Sequence, residues 1–202
     1  MRKLLWLNPV VKNMYDFSAL KELLQNKGFN IVECEKDHVR DVKVSYKNLC
    51  SKGMVLDSRC PRAVNFIRSN FKEFSNNISS LNPILIESAI ELSSKLKENE
   101  WLYITTPCED LAELGNSLKL ERTTFLTWKK FKELNDINLQ ISKIESSPIP
   151  PGFFENLDIK TLSLCSKEKI QNAFSYKFSE LKNYQIIELL YCENGCHNGD
   201  GL

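Results

Sequence analysis

Residues 187–202 read IELLYCENGCHNGDGL. The stretch begins as an apolar run, Ile187 to Tyr191, that reads as a buried strand. It then breaks into a loop carrying two thiols, Cys192 and Cys196, among Asn194, Gly195, Asn198, Gly199 and Gly201. A strand end is a rigid platform, and glycines let a backbone come close to a bulky inorganic ligand. The arrangement recurs upstream: Cys60 follows MVLDSR and Cys108 follows LYITTP, so cysteines stand just past the C-terminal ends of three predicted strands. In open α/β sheets that edge is where ligands bind, because helix N-termini there offer unpaired N–H groups. Four thiols from three separated loops can thereby meet at one point.

The rest of the chain supplies the sheets that such an edge needs. KLLWLNPV (3–10) reads as a strand ending in the Asn8-Pro9 turn. FSALKELLQNK follows as a helix capped by Asp16 and stopped by Gly28, and FNIVECE is the second strand. Strand, helix, strand within some thirty residues is the rhythm of a parallel sheet with covering helices. GMVLDS then leads into a helix over PRAVNFIRSNFKEF with Pro61 in its first turn. SSLNPILIESAIELSSKLKENE is an amphipathic helix, WLYITT a strand, and TTFLTWKKFKELNDI a strand entering a helix capped by Thr127. SSPIPPGFF (146–154) reads as a linker, EKIQNAFSYKFSELKNY as the last helix and QIIELL as the last strand.

This pattern predicts an α/β fold of two Rossmann-like lobes with mostly parallel sheets and the cysteine loops at the lobe interface. Residues 1–202 form a single domain, with approximate lobes 1–80 plus 155–202 and 81–154. The chain of 202 residues is 42% hydrophobic, enough for a sizeable core. Its 27 basic and 26 acidic residues nearly cancel and the basic ones are dispersed, which argues against nucleic acid and against an anionic membrane. No apolar run approaches a membrane span, and MRKLLWLNPVVKN lacks a signal h-region and cleavage site, so the expectation is a cytoplasmic protein. Seven cysteines in such a chain point to reduced thiols, metal binding or catalysis before disulfides.

Zinc and iron–sulfur clusters are the two obvious occupants of a four-thiolate site. Structural zinc favours two short knuckles, whereas here one C-x3-C pair accompanies two solitary cysteines beside proline. A cubane is larger and tolerates ligands from distant loops. Buried thiols can equally be small core residues. That reading is preferred for Cys34, placed in a strand, and for Cys50 and Cys165, which lack neighbouring Gly or Pro loops.

At these cysteines the sequence resembles the C-terminal, cluster-binding domain of the FeFe hydrogenase large subunit and its hydrogenase-like relatives. That family is marked by three loops, T-S-C-C-P, M-P-C-x-x-K and E-x-M-x-C-x-x-G-C-x-x-G-G-G. DSRCP at 57–61, TPCEDL at 106–111 and ELLYCENGCHNGDG at 188–201 stand in the same order, so the resemblance covers nearly the whole chain. It implies that Cys60, Cys108, Cys192 and Cys196 hold a 4Fe–4S cluster. Cys196 matches the thiolate that bridges the cubane to the catalytic diiron unit.

The departures bear on activity. The cysteine that relays protons in active members is replaced by Arg59, and a guanidinium does not deprotonate in proteins. The lysine that donates to a cyanide of the diiron unit falls at Leu111, the methionine at Leu190, and the triple glycine becomes Gly199, Asp200, Gly201. The family's T-G-G-V-M-E-A segment has no counterpart between PPGFF and the last helix. Each loss removes a separate requirement of hydrogen chemistry: proton delivery, cofactor anchoring and enclosure. Arg59 would instead neutralise cluster charge. His197 reads as a solvent-facing histidine, and Asp57, Glu109, Asp110 and Asp200 as capping or solvated groups.

The expectation is therefore an iron–sulfur protein with one 4Fe–4S cluster and no diiron subcluster. It would act in electron transfer or redox sensing with a redox or signalling protein partner. The alternatives are a minimal FeFe hydrogenase with an altered proton path, an iron–sulfur cluster carrier or assembly factor, and a structural protein with no cluster.

Overall fold

The computed structural model describes residues 1–51, 53–142, 144, 146–176 and 178–202. In chain order the elements are β1 (Arg2–Trp6), α1 (Pro9–Met14), α2 (Phe17–Asn26), β2 (Phe29–Ile31), α3 (His38–Cys50), β3 (Val55–Leu56) and α4 (Pro61–Asn70), followed by a 3-10 turn at Lys72–Asn77. Then come α5 (Ile84–Ser94), β4 (Glu100–Thr106), α6 (Glu109–Ser117), β5 (Thr123–Thr127), α7 (Trp128–Leu134), β6 (Thr161–Cys165), α8 (Lys167–Tyr176), α9 (Phe178–Leu181) and β7 (Ile186–Leu190), with a last 3-10 turn at Cys196–Asn198. Every strand pairing is parallel, as the alternation of strand and helix implies. Among the described residues no helix is long and apolar enough to cross a membrane.

The chain divides into two compact units: residues 1–36, 85–148 and 196–202, and residues 37–84 and 149–195. This differs from lobes of 1–80 plus 155–202 and 81–154. β1 pairs with both β2 and β4 along their lengths, which ties residues 1–36 to the segment after 85.

The first unit holds a four-stranded sheet in the order β2-β1-β4-β5. Successive strand residues face opposite sides. Leu4, Trp6, Leu102, Ile104 and Phe125 therefore share one face and pack on Ile86, Ala89 and Leu92 of α5 and on Leu111 and Ala112 of α6. On the other face Phe29 meets Tyr103 and Phe131 edge-on, and Trp128 stacks on Phe131 at 5.6 Å. α1 was not expected from the sequence. Asn8, fully buried, accepts the Val11 N–H through Oδ1 and caps a helix that Pro9 begins, so the Asn-Pro turn is a helix start.

The second unit holds a three-stranded sheet in the order β3-β7-β6. Its centre, β7, is buried at all five residues. Ile187 and Leu189 join Leu56, Leu164, Ala63, Ile67 and Phe174, while Ile186 joins Val55, Val42, Tyr46 and Phe154. Full burial of one such aliphatic side chain contributes about 1.5–3 kcal/mol.

Three elements correct the sequence reading. β6 was not expected, and it ends at Cys165, which thus stands at a strand end. β2 stops at Ile31, so Cys34 lies past a strand instead of within one. The segment taken as a linker is packed: Phe154 is fully buried, because it faces Tyr46 at 4.8 Å. The last predicted helix is seen as α8 and α9, and Lys177 within it lies outside the described residues.

Candidate metal centre

In the first unit the chain leaves β1 toward β2 on one side and leaves β4 toward β5 on the other. The loops after β1 and β4 diverge, and that divergence is where a parallel sheet opens a crevice at its carboxyl edge. Asn8, Thr105 and Thr106 are buried there, with the Asn8 N–H donating to Thr105 Oγ1 at 3.0 Å. Cys108 follows as the N-cap of α6, with extended backbone and no side-chain capping bond. Its half-buried thiol therefore stands at a helix start, the end of a helix where negative charge is favoured.

The segment 196–202 belongs to the same unit and lies against the Cys108 loop. Gly201 N–H donates to the Pro107 carbonyl at 3.2 Å, and Asp200 Oδ1 accepts the Glu109 N–H at 3.2 Å, so Asp200 caps α6 as a capping carboxylate should. A Cβ on Gly199 would enter the Pro107 carbonyl oxygen, and one on Gly201 would stand 2.8 Å from Thr127 Cβ. Gly199 is therefore required by close approach of two backbones, and Gly201 by its contact with the Thr127 side chain and the Cys108 Cα. This packing brings Cys196 and Cys108 to adjoining loops of one unit. Leu111, 7% exposed, is part of the apolar core beneath them.

In the second unit Cys60 is the N-cap of α4, with Pro61 at the first helical position, and Cys192 follows β7. β3 and β7 are paired neighbours, so their ends bring the two thiols together. Burial pushes the Cys60 thiol up, the amides of Tyr191 and Ala63 oppose this by favouring the thiolate, and Cys192 and Asp57 add repulsion. The turn between Cys192 and Cys196 is sharp: Asn194 at φ 58° and Gly195 at φ 111° both occupy the left-handed region. Cys165 Sγ donates to the Cys192 carbonyl at 3.1 Å, so this buried thiol braces the Cys192 loop.

Arg59 is the residue whose environment the sequence described least. Its guanidinium is 7% exposed, donates to both Asp57 oxygens (Nε 3.0 and 3.1 Å, Nη2 2.8 Å) and reaches Glu188 Oε1 at 2.7 Å. The ring of Phe153 lies 3.8 Å below it and that of Phe154 4.6 Å away. Burial pulls its pKa down, and the two carboxylates more than offset this, leaving it raised. Asp57 is fully buried and also accepts Tyr46 Oη–H at 3.0 Å, which corrects its reading as a solvated or capping group. Glu188, fully buried in the middle of β7, accepts in addition the amides of Gly152 (2.6 Å) and Phe153 (3.1 Å) and the Ser163 hydroxyl (2.6 Å). One cation facing two carboxylates is spent on them, so Arg59 is not the free positive charge expected. A carboxylate inside a five-residue apolar strand was the available signal for Glu188.

Cys50 is buried in the apolar cluster around Tyr46, where burial pushes its thiol up. Cys34 Sγ lies 3.8 Å from the Ser88 carbonyl, and burial raises it likewise. His197 is half-buried, and its Nδ1 is enclosed, which corrects the solvent-facing reading.

The fold, with parallel sheets whose carboxyl-edge loops carry these cysteines, is shared with solved structures of FeFe hydrogenases. Its particular counterparts include a variant of the FeFe hydrogenase HydA1 from Chlamydomonas reinhardtii, with a TM-score of 0.65 at 11% identity over 99% of this chain and 79% of that one. The structure of HydA(deltaEFG) gives 0.64 at 11% identity over the same shares, and a second HydA1 variant from Chlamydomonas reinhardtii gives 0.61 at 11%. At that identity the likeness is one of fold. No protein-family model matches the sequence, and no curated protein matches it.

Proposed function

We propose that this chain is a cytoplasmic iron–sulfur protein that holds a 4Fe–4S cluster through Cys60, Cys108, Cys192 and Cys196. It works in electron transfer or redox sensing with a redox or signalling protein partner. The observation that carries the reading is the setting of the thiols. All four are half-buried and follow parallel strands, Cys60 and Cys108 are N-caps of helices, and amides of Tyr191 and Ala63 favour the Cys60 thiolate. Partial exposure with nearby N–H donors suits thiolates that carry an anionic inorganic group.

When bound, the cubane supplies one-electron chemistry, at a potential set by charge, hydrogen bonds and burial. The amides of Tyr191 and Ala63 favour the thiolate form of Cys60, and Gly199 and Gly201 let the final loop lie on the Cys108 loop. The residues fit a diiron unit poorly. Where a proton-relaying thiol is needed there is a guanidinium locked between Asp57 and Glu188, and Leu111 offers no donor. The reading is accordingly a redox module without hydrogenase activity.

Iron and acid-labile sulfide, with EPR of the anaerobic, dithionite-reduced protein, test this. About four irons and four sulfides per chain, with a reduced-cluster signal lost in Cys192→Ala, are expected. Protein that stays metal-free or takes zinc alone after reconstitution would overturn the reading.

A further inference from the structure

His197 lies in the 3-10 turn Cys196–Asn198, directly after one proposed cluster thiolate. The following Gly199 and Gly201 are packed on Pro107, the residue before the second thiolate of this unit, Cys108. The imidazole therefore stands next to Cys196 in a loop packed on the Cys108 loop.

Its contact with Asn198 suits one tautomer. Asn198 Nδ2, which can only donate, stands 3.3 Å from Nε2. That contact is a hydrogen bond when Nε2 accepts, which in the neutral ring goes with a proton on Nδ1. Nδ1 is enclosed and has no hydrogen-bond partner among the described residues, not even the sulfur of its neighbour Cys196. A buried N–H without an acceptor is costly, and native structures supply one. The group missing from its surroundings is an acceptor, one residue from a proposed cluster thiolate.

We infer that the Nδ1–H of His197 donates a hydrogen bond to a sulfide of the iron–sulfur group held by Cys108 and Cys196, and thereby raises its reduction potential. The inference rests on the cluster reading above. A donor to a sulfide stabilises the extra negative charge of the reduced form more than it stabilises the oxidised form. His197 is in this role a positioning and tuning residue, and the neutral ring suffices for it.

The test is the midpoint potential of the reconstituted cluster at one fixed pH, followed by EPR, in the wild type, His197→Phe and His197→Gln. A lower potential in H197F, with H197Q nearer to wild type because it keeps an N–H donor, is expected. A cluster-loaded H197F protein with the wild-type potential overturns the inference while leaving the cluster reading intact. A wild-type chain that takes up no iron and sulfide overturns both. Pulsed EPR of wild-type protein labelled with 15N-histidine needs no variant: weak nitrogen coupling to the reduced cluster is expected, and its absence overturns the inference.

Discussion

Arg59 Nη2 stands 2.7 Å from Glu188 Oε1, joining the loop after β3 to the middle of β7 between residues 129 positions apart. Both side chains are withdrawn from water, at 7% and 0% exposure, and Asp57 completes the group at 0%. Removing the cation from a buried ionic group leaves uncompensated charge, which costs about 3–5 kcal/mol. Arg59→Met, which keeps the aliphatic stem over Phe153, should lose that much in urea unfolding. Adding Asp57→Asn and Glu188→Gln to Arg59→Met should recover a large part of it. Equal midpoints for wild type and Arg59→Met would show that the ion group contributes nothing to the fold.

Tyr46 gives the stability a defined alkaline slope. Its hydroxyl is buried beside Asp57 and accepts the Ser58 N–H at 2.9 Å. Burial, with the charge of Asp57 added, raises its pKa far above the usual tyrosine value. Below about pH 10 the ring is neutral folded and unfolded alike, and its contribution is fully present. Above that, only the unfolded state loses the proton, so stability falls as pH rises toward the folded pKa. Tyr46→Phe should lower stability near neutral pH by about 1–3 kcal/mol, since Asp57 and Ser58 lose a partner, and should flatten the decline above about pH 10. Urea melts across that range measure both effects, and parallel curves for the two proteins would contradict them.

The parallel α/β architecture was legible because strands such as WLYITT and QIIELL are short apolar runs with helical periodicity between them, and local periodicity survives tertiary packing. The cysteine positions past β3, β4 and β7 were legible for the same reason. Partnerships made by sheet order were not. Nothing near Arg59 in sequence reveals Glu188, because the pair exists only once β3 lies beside β7. The segment 146–154 looked like a linker from its prolines, yet two of its amides are consumed by Glu188. The grouping of residues 1–36 likewise depended on β1 pairing with β4, across 98 residues between Arg2 and Glu100.

Gly199 separates steric fit from backbone freedom. Its added Cβ meets the Pro107 carbonyl oxygen, a rigid backbone atom, so the final loop must move off the Cys108 loop to accept a side chain. Gly199→Ala should cost about 1–3 kcal/mol as overpacking does, and should lower the iron bound per chain after reconstitution. Gly28 is the control: it has φ 83° and open space around it. Gly28→Ala should cost about 1–2 kcal/mol from the left-handed backbone alone and leave the iron content unchanged. Equal iron loss in both variants would mean that stability, rather than the fit of the loops, governs uptake.

The seven cysteines divide by what each thiol touches, and substitution should follow that division. Cys50 is 4% exposed among Val42, Tyr46 and Ile186. Cys50→Ala should cost about 1 kcal/mol for the lost apolar volume and keep the full iron content. Cys165 donates to the Cys192 carbonyl, so Cys165→Ala should lose about 0.5–1.5 kcal/mol and also keep the iron. Cys60→Ala and Cys192→Ala remove sulfurs that face each other across the ends of β3 and β7, so each should lower iron and sulfide sharply while leaving the apo protein folded. Iron and sulfide analysis beside far-UV circular dichroism of the four variants separates these effects. If Cys165→Ala lost iron as fully as Cys192→Ala, the thiol at the end of β6 would have to be counted among the ligands.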